Sequence, residues 1–442
     1  MPGIRGLATV LFALALPAAA VGQVRRGAEE PPDVYALAPP DDGKPVYERK
    51  DPANPKTITN ADFFCTECAT TKEKRIPFAT REQMKEILET TKIFPADVNG
   101  SRELRCGAYR LLEHDADDIL KPLFTEMKEV KPVFIEDRFF RLFADFGGFH
   151  TKKPIYPRRE EELRRLADVF PNVSEKTVEL DSHQRAHLYL IRAHRVRRDF
   201  ETIVKHDPKA PYMDFLGPYD GVKQKHEIYV FAKQKQAGAF MKKYLGHSDK
   251  LDGECWHTLK DDSMAAIMHC ENISDVWLNN TFTHRVASNF LEGFRGYFYD
   301  LPPWLVIGFG HLMERRERTD YNTFFFGEGK RPTDTWGNNK WKPAIRKLVA
   351  QDKVRPFAEL VAVPHVNDLT AEEHGVVWSL VSFLMQQDVE KFGKFIHVLK
   401  EKKEGESTYN VQVRAFQTVY GITTAQFAED WKAWVLKTYP AL

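Results

Sequence analysis

The spacing of apolar residues predicts that most of this chain is helical. Apolar side chains recur three and four positions apart over residues 81–92, 107–130 and 181–203. In the last of these segments, Asp181 or Ser182 stands where a helix N-cap is expected. The segment is therefore predicted to be a regular helix with one apolar face.

Two short runs instead have the composition of β-strands. Ile228 to Phe231 are β-branched and aromatic, and Met264 to Met268 form a second apolar run. A helical pattern over residues 236–245 lies between them. Two strands with a helix between them predict a mixed β-layer, so the expected fold class is α+β and helix-rich.

The C-terminal half returns to helical spacing. One helix is predicted over residues 275–294, and a second over residues 304–318, after a Pro-Pro pair at 302–303 breaks the chain. Residues 319–366 contain Gly, Asn, Pro and aromatic residues without a clear period, and they are interpreted as a long loop or insertion. Residues 367–442 are expected to form a helical subdomain.

The N-terminus has the pattern of a secretory signal peptide. Arg5 precedes an apolar run from Leu7 to Leu16, which small residues follow. This run is shorter than the roughly 20 residues that a membrane-spanning helix needs, so residues 1–20 are predicted to be removed, with cleavage after Ala20 or Gly22. The mature protein is expected to be exported to the periplasm, the cell envelope or the outside of the cell, with no membrane span.

Composition and charge limit the classes of partner that are expected. The chain has 64 Lys and Arg against 63 Asp and Glu, so no electrostatic argument favours nucleic acid as a partner. Residues 21–57 are rich in Pro and charge and are predicted to be a linker, followed by a mostly helical N-terminal region over residues 58–218. The arginine run at 195–198 is expected to form a solvated helix face.

The cysteines suggest a structural metal site, although exported cysteines are also often oxidised. A Cys-x-x-Cys pair and two histidines four apart on one helix face have the ligand spacing of a structural zinc site. These predicted zinc ligands are Cys65, Cys68, His183 and His187. Cys255 and Cys270 flank the second strand at a separation that suits a disulfide, and the alternative is two unrelated buried thiols.

The most specific chemical signal is the stretch FTHRVASNFLEGFRGYFYDLPPWLVIGFGHLME, residues 282–314. A gluzincin peptidase needs His-Glu-x-x-His on one helix, with the histidines holding zinc and the glutamate acting as general base, and a second glutamate on the next helix. The helix, the break and the next helix are all present here. The stretch resembles the exported thermolysin-like or aminopeptidase-like gluzincins, also called peptidase-MA-like, and the resemblance extends from about Lys225 to Leu442. It implies a peptidase-like part over residues 225–318.

The positions that carry the chemistry in this family are changed. His284 keeps one zinc ligand, but Ser288 stands for the second histidine and Ile307 for the third ligand. Arg285 replaces the general base, and a guanidinium beside a dication is unfavourable by several kcal/mol. His311 stands where the family has an acidic residue that orients the first histidine. One histidine cannot hold a catalytic zinc, so none is expected.

The resemblance therefore implies an exported pseudo-peptidase with a binding or structural role. The alternative is a metallopeptidase with a rearranged metal site, built from His284, His311 and either Glu292 or Glu314. Residues four apart share one face of a helix, so His311 is expected to point toward His284, as the residue at position 307 does in the family. A cleft filled by ordinary polar and apolar residues is the simpler interpretation.

A peptide or an envelope protein is the partner that the resemblance implies. Met264 to Met268 take the place of the edge strand that pairs with the substrate backbone in gluzincins, so an extended peptide is expected to add to this edge. The peptide would then meet Arg285, whose forked donor suits a carboxylate. The alternative is that Arg285 pairs with Glu292 or Glu314 and that the cleft is closed.

Overall fold

The computed structural model describes residues 63–65, 132–137, 139–151, 158–170, 172–205, 220–222, 225–245, 253–258, 263–297, 300–319, 322–324 and 340–441. The fold of these residues is α+β and helix-rich. The predicted signal peptide, the linker and the helices predicted over residues 81–92 and 107–130 lie outside the described residues.

A mixed six-stranded sheet and a two-stranded ribbon make up the β-structure. The strands are β1 (Phe63–Cys65), β2 (Val133–Asp137), β3 (Phe140–Ala144), β4 (Phe149–His150), β5 (Glu179–Leu180), β6 (His226–Phe231), β7 (Gly253–Thr258) and β8 (Ser263–His269). The larger sheet has the order β1-β2-β3-β6-β8-β7, and β4 pairs with β5. Strands β3, β6 and β8 run parallel, whereas β1, β2 and β7 pair antiparallel with their neighbours.

The two predicted strands are present, but one of them has a different place in the sheet. Strand β8 pairs with β6 on one side and with β7 on the other, so the prediction that Met264 to Met268 form an open edge is wrong. The outer strand on this side is β7, with Cys255 opposite Ala266. Strand β7 was not predicted because its sequence, GECWHT, lacks a clear alternation of apolar and polar residues.

The helices predicted over residues 181–203, 236–245, 275–294 and 304–318 are present, and the structure has others. The helices are α1 (Arg159–Val169), α2 (Ser182–Val204), α3 (Gln234–Leu245), α4 (Asp275–Gly293), α5 (Pro303–Arg315), α6 (Trp341–Ala350), α7 (Phe357–Leu360), α8 (Ala371–Gln387), α9 (Val389–Lys400), α10 (Thr408–Ala415) and α11 (Thr424–Thr438). Asp181 is the N-cap of α2, and its side chain accepts a hydrogen bond from the backbone N–H of Gln184, while the Gln184 side chain bonds back to Asp181. None of the helices in the described residues combines the length and apolar character of a membrane-spanning helix.

Two predicted regions need correction. The long loop predicted over residues 319–366 contains α6 and α7, and α6 buries one side through Trp341, Ile345 and Val349. The N-terminal region predicted to be mostly helical contributes β1, β2 and β3 to the large sheet. Because β3 pairs parallel with β6, this sheet continues across the predicted boundary between residues 218 and 225.

Helices α4, α5 and α8 pack closely, and two glycines of α5 allow this. A methyl group at Gly308 would lie 2.5 Å from the carbonyl oxygen of Val377 in α8. A methyl group at Gly310 would lie 2.5 Å from Nε2 of His284 in α4. Contacts this short are not tolerated in a packed interior, so the two glycines let α5 lie directly between α4 and α8. This packing brings the polar side chains of the three helices together.

Candidate functional site: a buried histidine cluster

Four titratable side chains meet where α4, α5 and α8 pack together. We call them the histidine cluster: His284 from α4, His311 and Glu314 from α5, and His374 from α8. All four residues are 0 % exposed. Buried groups of this kind need polar partners, because desolvation without a hydrogen bond is unfavourable by several kcal/mol.

The Glu314 carboxylate lies at the centre of the histidine cluster. Its Oε1 lies 2.5 Å from Nδ1 of His311, and its Oε2 lies 3.4 Å from Nδ1 of His284. The two imidazole rings meet edge to face, with centroids 4.7 Å apart. One potential ligand atom from each of these three residues lies within 4.8 Å of the other two, so the group could hold a metal ion.

Further hydrogen bonds fix the orientation of these groups. Nε2 of His311 lies 2.8 Å from Nδ1 of His374. The backbone N–H of Thr323 donates to both carboxylate oxygens of Glu314, at 3.1 Å each. A neutral His311 satisfies its two contacts when it carries the proton on Nδ1 and accepts from His374 at Nε2.

Burial and charge set the protonation of the cluster. Burial lowers the pKa of His311 to about 4, although the nearby Glu314 carboxylate opposes this. Burial also lowers the pKa of His374 well below its ordinary value, and His311 adds to the effect. Burial alone would raise the pKa of Glu314, but His284 and His311 outweigh it and lower the pKa to about 2. Near neutral pH, Glu314 is therefore ionised and His311 and His374 are neutral, which is the state that a bound metal requires.

Aromatic side chains enclose the cluster. The ring centroid of His311 lies 5.0 Å from that of Trp341, and Phe324 lies 5.2 Å from His374. Beside them, the Arg315 guanidinium lies 4.5 Å from the ring centroids of both Trp341 and Trp378. This shell keeps the polar groups away from bulk water.

The zinc that the gluzincin resemblance implies does not fit the residues at the corresponding positions. Ile307 offers no ligand atom, and Ser288 replaces an imidazole with a hydroxyl group; they are 1 % and 2 % exposed. Arg285 is 2 % exposed, and its backbone carbonyl oxygen accepts a hydrogen bond from Sγ of Cys255. Of the three family ligands, His284 alone has a metal-binding atom of the expected kind.

The structure distinguishes between the two glutamates of the predicted rearranged site. Glu314 contacts both His284 and His311. Glu292 instead accepts a hydrogen bond from the backbone N–H of Leu301, and burial raises its pKa to about 8. The three-residue metal group found among the described residues includes Glu314 and not Glu292.

The predicted Cys2His2 zinc site is described only in part. His183 and His187 lie on one face of α2 with ring centroids 5.0 Å apart, and both pack against Phe170. Cys65 is the last residue of β1, and Cys68 lies outside the described residues. The pairing of the two histidines agrees with the predicted spacing, and zinc at these four residues stays a prediction.

The predicted disulfide is not formed. Neither Cys255 nor Cys270 takes part in a disulfide. In the antiparallel pair of β7 and β8, Cys255 lies opposite Ala266, so the register places Cys270 too far along the sheet to reach it. The Sγ atom of Cys270 instead approaches the carbonyl oxygen of Ala232.

A second buried polar group, which we call the ionic network, joins α1, α2, α4 and the end of α5. Its members are Glu162, Arg185, Arg192, Arg195, Asp275 and Glu317. Arg192 contacts Glu162 and Asp275, each at 3.1 Å, and is 0 % exposed. Arg195 is 6 % exposed, so the prediction that the arginine run forms a solvated face is wrong at this position. Arg195 instead pairs with the carboxylates of Glu162 and Glu317.

Comparison of the chain with protein-family models, with curated proteins and with solved structures finds no match. The gluzincin resemblance therefore rests on residues 282–314 and the pattern around them. Sequence reasoning missed His374, which completes the histidine cluster, and Thr323, whose backbone N–H donates to Glu314. The available signal for His374 was a lone histidine on the otherwise apolar face of a helix that also carries Trp378 and Val381.

Proposed function

We propose that this chain is an exported, catalytically inactive protein of gluzincin-like construction, with a structural or binding role. The observation that carries the proposal is the chemistry at the family positions on α4 and α5. Ser288 and Ile307 replace two zinc ligands, and Arg285 replaces the general base. A guanidinium opposes a dication nearby and cannot accept a proton from an attacking water.

The burial of these positions supports the same proposal. Arg285, Ser288 and Ile307 are each at most 2 % exposed, and His284 is 0 % exposed. A peptidase must bring a substrate carbonyl and a water molecule to its metal, which requires an open coordination position facing a cleft. Side chains this enclosed serve packing in the observed conformation.

The proposal is tested by assaying the purified mature protein for hydrolysis of casein and of a peptide mixture, with added Zn²⁺ and with a chelator. We expect no hydrolysis above background in either condition, and the same for His284→Ala. Hydrolysis that the chelator abolishes, and that is lost in His284→Ala, would overturn the proposal. Hydrolysis that persists in the variant would indicate a contaminating peptidase.

A metallopeptidase with a rearranged site is the second candidate function. The convergence of His284, His311 and Glu314 favours it, because two imidazoles and a carboxylate are a known ligand set of catalytic zinc. This candidate predicts hydrolysis that Glu314→Gln abolishes. All three side chains are 0 % exposed, so a substrate would require a change of conformation to reach them.

A peptide or an envelope protein remains the proposed partner. Because β8 is paired on both sides, an added peptide strand would have to pair with β7, which has one partner among the described strands. Arg285 is 2 % exposed, so its contact with an acidic peptide would require α4 to become accessible. The alternative of a closed cleft agrees better with this burial.

A further inference from the structure

We propose that His284, His311 and Glu314 form a structural site for one zinc-like divalent ion, at a position different from that of the family zinc. The ion would lie between α4 and α5 and would be bound by one nitrogen of each histidine and by the carboxylate. This inference goes beyond the proposed function, because a structural ion stabilises the fold whether or not the protein binds a partner.

The distances fit ligands that share an ion. Two ligand atoms on a tetrahedral zinc, each ~2.0–2.1 Å from the metal, lie about 3.3 Å apart. Nδ1 of His284 lies 3.4 Å from Oε2 of Glu314, which matches this spacing. Nδ1 of His311 lies 2.5 Å from Oε1 and carries a proton in the ion-free state. Ion binding would move the protons of His311 and His374 from Nδ1 to Nε2, so that Nε2 of His311 donates to Nδ1 of His374. It would separate Nδ1 of His311 from Oε1 by less than about 1 Å.

The surroundings hold the ligands as metal sites require. A metal-binding histidine usually has a hydrogen bond at its other nitrogen, and a metal-binding carboxylate is itself hydrogen-bonded. His374 supplies the first contact, at Nε2 of His311, and the backbone N–H of Thr323 supplies the second, at Glu314. The contact with His374 leaves Nδ1 of His311 for the ion, whereas Thr323 would share the carboxylate oxygens of Glu314 with it.

The donor set and the enclosure indicate the kind of ion and its role. Two imidazoles and one carboxylate favour Zn²⁺ or Co²⁺ over Mg²⁺ and Ca²⁺, which prefer oxygen ligands. The ligands lie on two packed helices and are 0 % exposed, so an ion there joins α4 to α5. An ion that binds the folded chain and not the unfolded chain raises the melting temperature.

The test uses the mature protein, stripped of metal and then titrated with Zn²⁺ or Co²⁺ alone. All measurements are made in Cys68→Ser, so that the predicted Cys2His2 site does not contribute. We expect one ion per chain and a higher melting temperature with metal. Glu314→Gln and His311→Gln should each lower the affinity more than about 100-fold, whereas His374→Gln should lower it about 10- to 100-fold, as expected for a residue that positions a ligand.

Two further measurements keep the test decisive. His226→Gln removes a buried histidine that packs on Phe290 away from the cluster, and it should leave the affinity unchanged. X-ray absorption of the zinc-loaded Cys68→Ser protein should show nitrogen and oxygen ligands with imidazole scattering and no sulfur. This measurement does not depend on whether variants of the histidine cluster fold. The proposal fails if no ion binds, if sulfur ligands appear, or if Glu314→Gln binds as tightly as its parent. Hydrolysis by the loaded protein would overturn the proposed inactivity and leave this site in place.

Discussion

Helix α4 takes part in two buried polar groups that differ in chemistry. Asp275 in its first turn belongs to the ionic network, and His284 further along belongs to the histidine cluster. The side chains of both groups are at most 9 % exposed. In the ionic network, guanidinium nitrogens of the arginines lie within ion-pair distance of carboxylate oxygens. In the histidine cluster, two of the three imidazoles, those of His311 and His374, have pKa values that keep them neutral near pH 7.

This difference decides which group is a candidate site. An arginine keeps its proton in proteins and has no lone pair, so it cannot bind a cation. The carboxylates of the ionic network are already used by the guanidinium groups, as for Asp275, which accepts from Arg185, Arg192 and Tyr189. Neutral imidazoles offer lone pairs instead. Burial of polar residues is therefore a weak indication of function by itself, and the type of donor atom separates a structural network from a possible metal site.

The largest expected effect concerns the ionic network. Asp275→Asn keeps the side-chain volume but removes the charge that faces Arg185 and Arg192, so we expect the free energy of unfolding to fall by about 3 to 5 kcal/mol. Urea unfolding followed by circular dichroism measures this change. Glu429→Ala removes a carboxylate whose side chain is 69 % exposed and should change stability by less than about 0.5 kcal/mol. Equal effects of the two substitutions would show that the network is not a source of stability.

Acid should destabilise the histidine cluster at a higher pH than the ionic network. The pKa of His311 is about 4 in the folded protein against an ordinary value of 6.5, so the unfolded chain binds its proton first. The stability that this neutral histidine provides is complete above pH 6.5 and is lost as the pH falls toward 4. The difference in unfolding free energy between wild type and His311→Gln should therefore narrow by about 2 to 3 kcal/mol from pH 7 to pH 4.5.

The matched comparison for the acid experiment is Asp275→Asn. Burial alone would raise the pKa of Asp275, but Arg192 and Arg185 outweigh it and lower the pKa below its ordinary value of 3.8. Its own contribution is thus lost only below about pH 4. Asp275 is the smallest of the causes that act on the pKa of Glu162, which is about 8, so the difference from wild type should change much less between pH 7 and pH 4.5 than the difference for His311→Gln. Both measurements are made with a chelator present. Glu292 titrates in the opposite direction, but neither His311 nor Asp275 contributes to its pKa shift, so its contribution cancels when each variant is compared with wild type.

The periodic parts of the fold could be predicted from the sequence. Helices α2, α3, α4 and α5 and strands β6 and β8 lie where the apolar pattern indicates, although every residue of α5 and β6 is buried and not one face alone. Strand β7 and helix α6 were missed, since GECWHT barely alternates and α6 follows a segment rich in Gly and Asn. The place of β8 inside the sheet could not be predicted either, because pairing depends on a strand with no local signal.

The candidate site was predictable only where helical spacing applies. Helical spacing placed His311 on the face that looks toward His284, and their ring centroids are 4.7 Å apart. Helical spacing could not decide whether Glu292 or Glu314 lies beside the two histidines, because Glu292 is on the same helix as His284 and Glu314 is on the same helix as His311. His374 comes from α8, more than 60 residues after His311, and long-range packing of this kind leaves no local pattern. The pairing of Arg195 with Glu162 was hidden for the same reason.

The smallest expected effect concerns the glycine contact that brings α5 against His284. In Gly310→Ala the new methyl group would lie 2.5 Å from Nε2 and within 2.7 Å of two ring carbons of His284, so the helices must separate or the imidazole must turn. We expect a loss of about 1 to 3 kcal/mol in the free energy of unfolding, as for other overpacked cores. Gly147→Ala is the matched control, because a methyl group there meets no atom within 4 Å, and its stability should stay within about 0.5 kcal/mol of wild type.

If α5 carries the proposed metal site, Gly310→Ala should also weaken Co²⁺ binding while Gly147→Ala leaves it unchanged. A Gly310→Ala protein as stable as wild type would mean that His284 is not held against α5, and the close approach on which the histidine cluster depends would be wrong.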